Sequence, residues 1–213
     1  MNGATNRPLA ERVRPERLSE VIGRRTKRRL RIYTIGHSTR PIAQFIALLK
    51  AYGITELVDI RTIPRSRHNP QFNEESLIVS LRHADIGYHH LKELGGLRHT
   101  TKDSVNLGWR NRSFRGFADY MQTEDFSEGL SELMAVARKK CTAIMCAEAV
   151  PWRCHRSLVA DALTKKKWTV LHIQSAKTAR RHTLTPFLRV RKGKLVYPSP
   201  SPAGGRQKSG PSK

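Results

Sequence analysis

The sequence predicts an α/β domain built on a mostly parallel sheet with helices on both faces and basic flanks at each end. Three observations lead there. From Ile32 onward, short β-branched and apolar runs alternate with longer segments whose apolar residues recur at helical spacing. The connections between them are short, and strand–helix–strand units of this kind almost always pair in parallel. Gly and Pro close the runs at Gly36, Gly53, Pro64 and Gly87. With 38% hydrophobic residues the chain can bury a core, so wholesale disorder is excluded.

Taken in order, RIYTIGHS reads as a buried strand that stops at Gly36. Ser38 or Thr39 can cap a helix with Pro41 in its first turn, and Ile42, Phe45, Ile46, Leu48 and Leu49 share its apolar face up to Gly53. ELVDIRTIP is a second strand. Asn73 opens a helix over NEESLIVSLRHADIG, and YHHLKEL reads as a weaker strand. Residues 95–116, GGLRHTTKDSVNLGWRNRSFRG, lack periodicity, and long irregular segments in compact domains tend to be functional or mobile. DFSEGLSELMAVARKK is an amphipathic helix with Phe126, Leu130, Leu133, Met134 and Ala137 on its apolar side. TAIMCAE is a strand, CHRSLVADALTKKK a helix and WTVLHI a last strand.

The chain carries 40 Lys and Arg against 17 Asp and Glu, a net +23. Residues 1–31 hold +7 of it, residues 177–213 hold +10, and 32–176 hold +6, which divides the chain into a basic extension, a domain and a basic tail. The tail ends in PSPSPAGGRQKSGPSK, a Pro/Ser/Gly-rich tract expected to be disordered. Basic segments attract polyanions, so DNA or RNA is the partner suggested, and no protein partner is inferable. No run of 18 apolar residues is present, which argues against a membrane span, and the first residues lack a signal-peptide core. Three cysteines make no disulfide framework, so a reducing, cytoplasmic location is expected.

In an open parallel sheet the ligand site lies beyond the carboxyl ends of the strands. Three predicted strands end in polar clusters: Gly36-His37-Ser38, then Asp59-Ile60-Arg61 with Arg65-Ser66-Arg67, and Cys146-Ala147-Glu148 with Arg153-Cys154-His155-Arg156. The segments YTIGHSTRP, LVDIRTIPRSRHNPQFN, YHHLKELGG and CAEAVPWRCHR, in this order over about residues 32–175, resemble the family named domain of unknown function 488. That resemblance implies an α/β domain with a shared strand-end site and a nucleic-acid or nucleotide-related role, and supplies no reaction. Separately, Pro8 to Gly23 resembles the opening of clamp-loader-type ATPases. No Gly-x-x-x-x-Gly-Lys-Ser/Thr loop follows, so no ATPase activity carries over.

Cys154 stands at the start of a predicted helix beside Arg153, His155 and Arg156, where the dipole and positive neighbours favour a thiolate, making it the better nucleophile candidate than Cys146. The alternative reading of both cysteines, and the stronger one for Cys146, is as small buried hydrophobes. A phosphatase loop, Cys-x5-Arg, fails on spacing: six residues separate Cys146 from Arg153, and residue 160 is Ala. Zinc held by Cys146, Cys154, His155 and His37 stays open as an alternative, against the lack of a Cys-x2-Cys pair; no other cofactor is expected. Asp59 and Glu148 suit general acid/base work if their strands are neighbours, with Arg61, Arg65, Arg67, Arg153, Arg156, His155 and Ser38 holding phosphate. The alternative is a carboxylate–arginine lattice that fixes the strand ends. His37 follows a permissive Gly36 and can reach a ligand or cap a helix; the pair His89-His90 reads as structural.

Trp109 and Phe114 interleave with Arg110, Arg112 and Arg115, the pattern of a base-stacking, phosphate-gripping surface, or of a lid packing its aromatics inward. Two functions follow: an enzyme acting on a phosphate-bearing substrate at the strand ends, or a non-catalytic nucleic-acid-binding module using the same arginines.

Overall fold

The computed structural model describes residues 30–199. The segment Pro8 to Gly23, the rest of 1–29 and the disorder expected of the last residues lie outside the described part. Five strands, β1 (Arg31–Gly36), β2 (Glu56–Asp59), β3 (Gly87–His90), β4 (Thr142–Cys146) and β5 (Thr169–Ile173), pair in parallel, and β6 (Ala179–Arg181) adds antiparallel to β5. The sheet order is β3-β2-β4-β1-β5-β6.

Helices α1 (Ile42–Ala51) and α2 (Glu74–Arg82) lie in the steps β1 to β2 to β3, while α3 (Arg112–Tyr120), α4 (Glu124–Lys139) and α5 (Arg156–Lys165) lie in the steps back to β4 and β5. Because parallel crossovers are right-handed, opposite stepping directions put the two helix sets on opposite faces. Strand side chains alternate accordingly. Tyr33, Leu57, Ala143 and Met145 pack with Phe45, Leu49, Leu77 and Leu81 of α1 and α2. Ile32, Val58, Ile144 and Cys146 pack with Phe117, Leu133, Leu158 and Val159 of α3, α4 and α5.

Several expectations need correction. The basic tail does not begin at residue 177: β6 extends the sheet, and β7 (Arg189–Arg191) with β8 (Lys194–Val196) forms a ribbon whose Leu188 and Tyr197 reach the core. Seven of the ten cations counted in 177–213 therefore belong to the folded part. Pro41 is the cap position of α1 rather than part of its first turn, and no Ser38 or Thr39 side chain caps it. Asn73 precedes α2 in cap position, but its side-chain Oδ1 accepts from the Ser66 N–H (2.8 Å) instead. β3 stops at His90 and a 3-10 turn, Lys92–Leu94, follows. The irregular segment 95–116 ends early, because Asn111 caps α3 by accepting from the Ser113 N–H at 2.8 Å, which makes Phe114 and Arg115 helical.

Candidate functional site

β1, β2 and β4 are neighbours, so their carboxyl ends meet. The chain beyond β1 continues the pairing, His37 N–H to Cys146 O (3.0 Å) and Ser38 N–H to Ala147 O (2.9 Å), which needs Gly36 at the strand end: a Cβ there would lie 1.8 Å from the Glu148 carbonyl oxygen. Over this edge opens a cavity of about 530 Å³, lined by Arg61, Arg65, Arg153, Glu148, His155 and the two cysteines among others.

Two of the cavity's lining residues, Cys146 and Cys154, are in contact. Cys154 Sγ lies 2.8 Å from Cys146 Sγ and donates to it. Burial pushes the Cys146 thiol up, but the bond from Cys154, the Arg156 guanidinium and the Glu148 backbone outweigh it, and the net shift is down. Cys154 moves the opposite way, raised by donating that bond, by burial and by the neighbouring Cys146 charge. The sequence reading that favoured Cys154 as the activated thiol is thus reversed: helix-end position is outweighed by which sulfur holds the proton.

Asp59 is wholly buried and fully engaged. It accepts from Arg61 Nε (2.9 Å), Arg61 Nη2, the Arg61 backbone N–H (3.0 Å) and the Tyr88 hydroxyl (3.0 Å). Its expected acid/base role gives way to the lattice alternative, because no lone pair faces the cavity unclaimed. Burial, then the Asp59 charge and bond, keep Tyr88 protonated as a donor. Arg61 itself lines the cavity, and its buried Nη1 has no hydrogen-bond partner among the described residues. Glu148 is the lining's single carboxylate among the described residues and is exposed.

Arg156 is the largest fully buried side chain, at 1% exposure. Its Nη2 reaches only the Glu148 and Ala149 carbonyls (3.3 and 3.4 Å), its Nε and Nη1 have no partner, and it makes no ion pair among the described residues. A buried guanidinium without a carboxylate is costly, and Arg156 is one of the groups that draw the Cys146 thiol down. His155 lines the cavity wall with its ring enclosed, Nε2 bonded to the Ile60 carbonyl (3.0 Å); burial first, then Arg156 and Arg98, hold it at about 4, so it is a neutral wall and no phosphate cation.

The remaining expected residues scatter. Arg65 lines the cavity but is exposed and 3.6 Å from Glu75; Arg67 is exposed outside the lining. His37 is buried against Phe72 (ring centroids 4.2 Å), its Nδ1 bonded to the Ser38 carbonyl (2.7 Å); burial first lowers it, and Nε2 is unpartnered. Ser38 spends its N–H on Ala147 with φ of 51°, a turn role rather than phosphate binding. His90 Nε2 meets the Arg61 carbonyl and His89 Nε2 meets Glu132, both at 2.8 Å, in structural roles. Of the four groups weighed as zinc ligands, Cys146, Cys154 and His155 lie together (Cys154 Sγ to His155 Nδ1, 3.5 Å) while His37 stands apart on Phe72, and no group of three or more His, Cys, Asp or Glu fit to hold a metal occurs among the described residues.

The aromatics of the expected nucleic-acid surface are half-buried and pack against the core. Trp109 packs on Phe114 (4.8 Å), Phe187 (5.0 Å) and Tyr197 (5.6 Å), and Arg115 bonds the Trp109 carbonyl through Nε and Nη2. Arg110 and Arg112 remain exposed. The correction is physical: the ribbon β7-β8 supplies apolar partners that the sequence did not reveal.

Two features escaped sequence reasoning. Tyr88 sits in the edge strand with nothing local marking it as the Asp59 donor. A closed chain of bonds runs from Thr34 Oγ1 to His172 Nδ1 (2.7 Å), His172 Nε2 to His182 Nδ1 (2.9 Å), and His182 Nε2 to Asp161 Oδ1 (2.9 Å), with Tyr197 and Thr185 hydroxyls on Asp161 Oδ2. The polar letters inside WTVLHI and SLVADAL were its only signal.

No helix of the described residues is long and apolar enough to cross a membrane. Neither a curated protein nor a solved structure matches the chain. One family model, Domain of unknown function DUF488, matches residues 41–163, a span running from α1 to α5 that takes in both cysteines, Asp59, Arg61 and Arg156. The match covers more than half of the chain, and the chain belongs to the DUF488 family.

Proposed function

We propose that the strand-end cavity is the active site of an enzyme that acts on a phosphate-bearing substrate with Cys146 as nucleophile. The observation that carries this reading is geometric: Cys146 Sγ accepts from Cys154 Sγ at 2.8 Å on the wall of a cavity also lined by Arg61, whose buried Nη1 has no hydrogen-bond partner among the described residues. Arg61 Nη1 and the rim guanidinium of Arg153 bind the phosphate, Arg156 stabilises the thiolate charge, and Glu148 serves as general acid and base at the mouth. Asp59 and Tyr88 are positioning residues that fix the Arg61 plane.

The test is iodoacetamide alkylation of the full chain across pH, resolved by peptide mass spectrometry, with and without pyrophosphate. Cys146 is expected to react before Cys154, to titrate below the ~8.5 of a free thiol, and to be slowed by pyrophosphate. Earlier reaction of Cys154, titration of Cys146 at or above ~8.5, or no effect of pyrophosphate overturns the reading. The non-catalytic alternative keeps the charge, +14 over residues 30–199, but Trp109 and Phe114 are half-buried and stacked on each other against the core, which leaves less aromatic surface for it.

A further inference from the structure

A second cavity, of about 400 Å³, lies at the carboxyl end of β5, beside β6. The short segment from Pro151 to Ser157 is a wall common to both cavities: Arg153, Cys154 and His155 line the first, while Pro151, Trp152 and Ser157 line the second. Trp152 is 64% exposed, and its indole has no ring or cation partner among the described residues. A tryptophan held open on a 3-10 turn that begins with Pro151 presents a flat apolar face at little conformational cost. Arg180 and Arg181 of β6 also line this cavity, both exposed and without an ion pair among the described residues. No Asp or Glu lines this cavity. His172 and His182 border it, but both nitrogens of each ring are already engaged in the chain to Asp161, so they hold shape and leave recognition to Trp152, the arginines and Gln174.

A wall of one free indole and two guanidiniums, without a carboxylate, selects a planar ring attached to an anion. We infer that this cavity is a nucleobase subsite: a base stacks on Trp152, Arg180 and Arg181 grip its phosphate, and the adjoining phosphate enters the thiol cavity past Arg153. The inference rests on the proposed function and names its substrate class as a nucleotide or a single-stranded polynucleotide.

The experiment follows tryptophan fluorescence of the full chain during titration with AMP, with a homopolymeric oligo(dT) strand and with pyrophosphate, in the wild type and in W152F and W152L. Cys146 alkylation is scored in the same samples. A base-bearing ligand is expected to quench the wild type and not W152F, and W152L is expected to bind it roughly tenfold or more weakly while pyrophosphate protection of Cys146 stays unchanged. Equal quenching in W152F, or equal affinity in W152L, overturns the subsite. Quenching by AMP equal to that by the strand assigns a small nucleotide, and tight strand binding that falls steeply with salt assigns a polynucleotide; either supports the subsite. Protection of Cys146 by pyrophosphate without any quenching overturns the subsite and leaves the thiol reading standing. Quenching without protection supports the subsite and removes the thiol reading.

Discussion

The two cysteines show how little sequence neighbourhood fixes about a single side chain. Cys154 precedes α5 and is flanked by Arg153 and Arg156, yet it is the proton donor of the pair, and Cys146 receives the benefit. Replacing Cys154 with Ala removes the donated bond, so the pH at which Cys146 alkylates is expected to rise; an unchanged or lower titration would show that Arg156 alone holds the thiolate. Asp59 carries a different lesson. The sequence made Asp59 and Arg61 legible in one strand-end cluster and as members of a carboxylate–arginine lattice, but Tyr88, from the weakly marked strand β3, completes the coordination of Asp59. Asp59→Asn leaves the buried Arg61 guanidinium without its counter-charge. A loss of about 3–5 kcal/mol in urea unfolding is expected, against nearly none if the pair were solvated.

Elements were legible in proportion to their length and periodicity. β1, β2, β4 and β5 stood out as apolar runs, and α4 as a long amphipathic helix, because parallel strands buried on both faces and helices packed on them leave strong patterns. β6, β7 and β8 are three residues each, ARR, RVR and KLV, with no apolar face to read. What holds them is tertiary. Asp161 on α5 accepts from His182, from the Thr185 N–H and hydroxyl, and from the Tyr197 hydroxyl, bonding the C-terminal segment to the helix. Asp161→Ala is expected to cost roughly 3 kcal/mol or more and to raise amide exchange selectively in 179–197; uniform exchange across the sheet would contradict this local role. Gly36→Ala tests the carboxyl end of β1. Its Cβ would meet backbone rather than a flexible side chain, so β1 and the Glu148 segment must separate, with an expected loss of about 1–3 kcal/mol.

Over the whole molecule, burial of neutral histidines sets the acid limit. His155 at about 4 and His172 at about 3 are both depressed chiefly by burial, from 6.5 in the unfolded chain. Groups with lowered folded values give stability that is complete above 6.5 and lost as pH falls toward the folded values. His155 alone should withdraw roughly 2 kcal/mol between pH 6.5 and 5, read as a falling urea midpoint; a flat midpoint over that range would mean that its ring is hydrated. The strand order has a consequence for synthesis. β1 leaves the ribosome first among the strands, yet its two neighbours are β4 and β5, with Tyr33 pairing to Ala143 and Leu171. The nascent chain therefore carries a strand with five of its six residues buried in the final fold, both edges open until nearly the whole domain has emerged. During that interval the growing polypeptide depends on chaperones or on speed of translation to avoid sticking to itself.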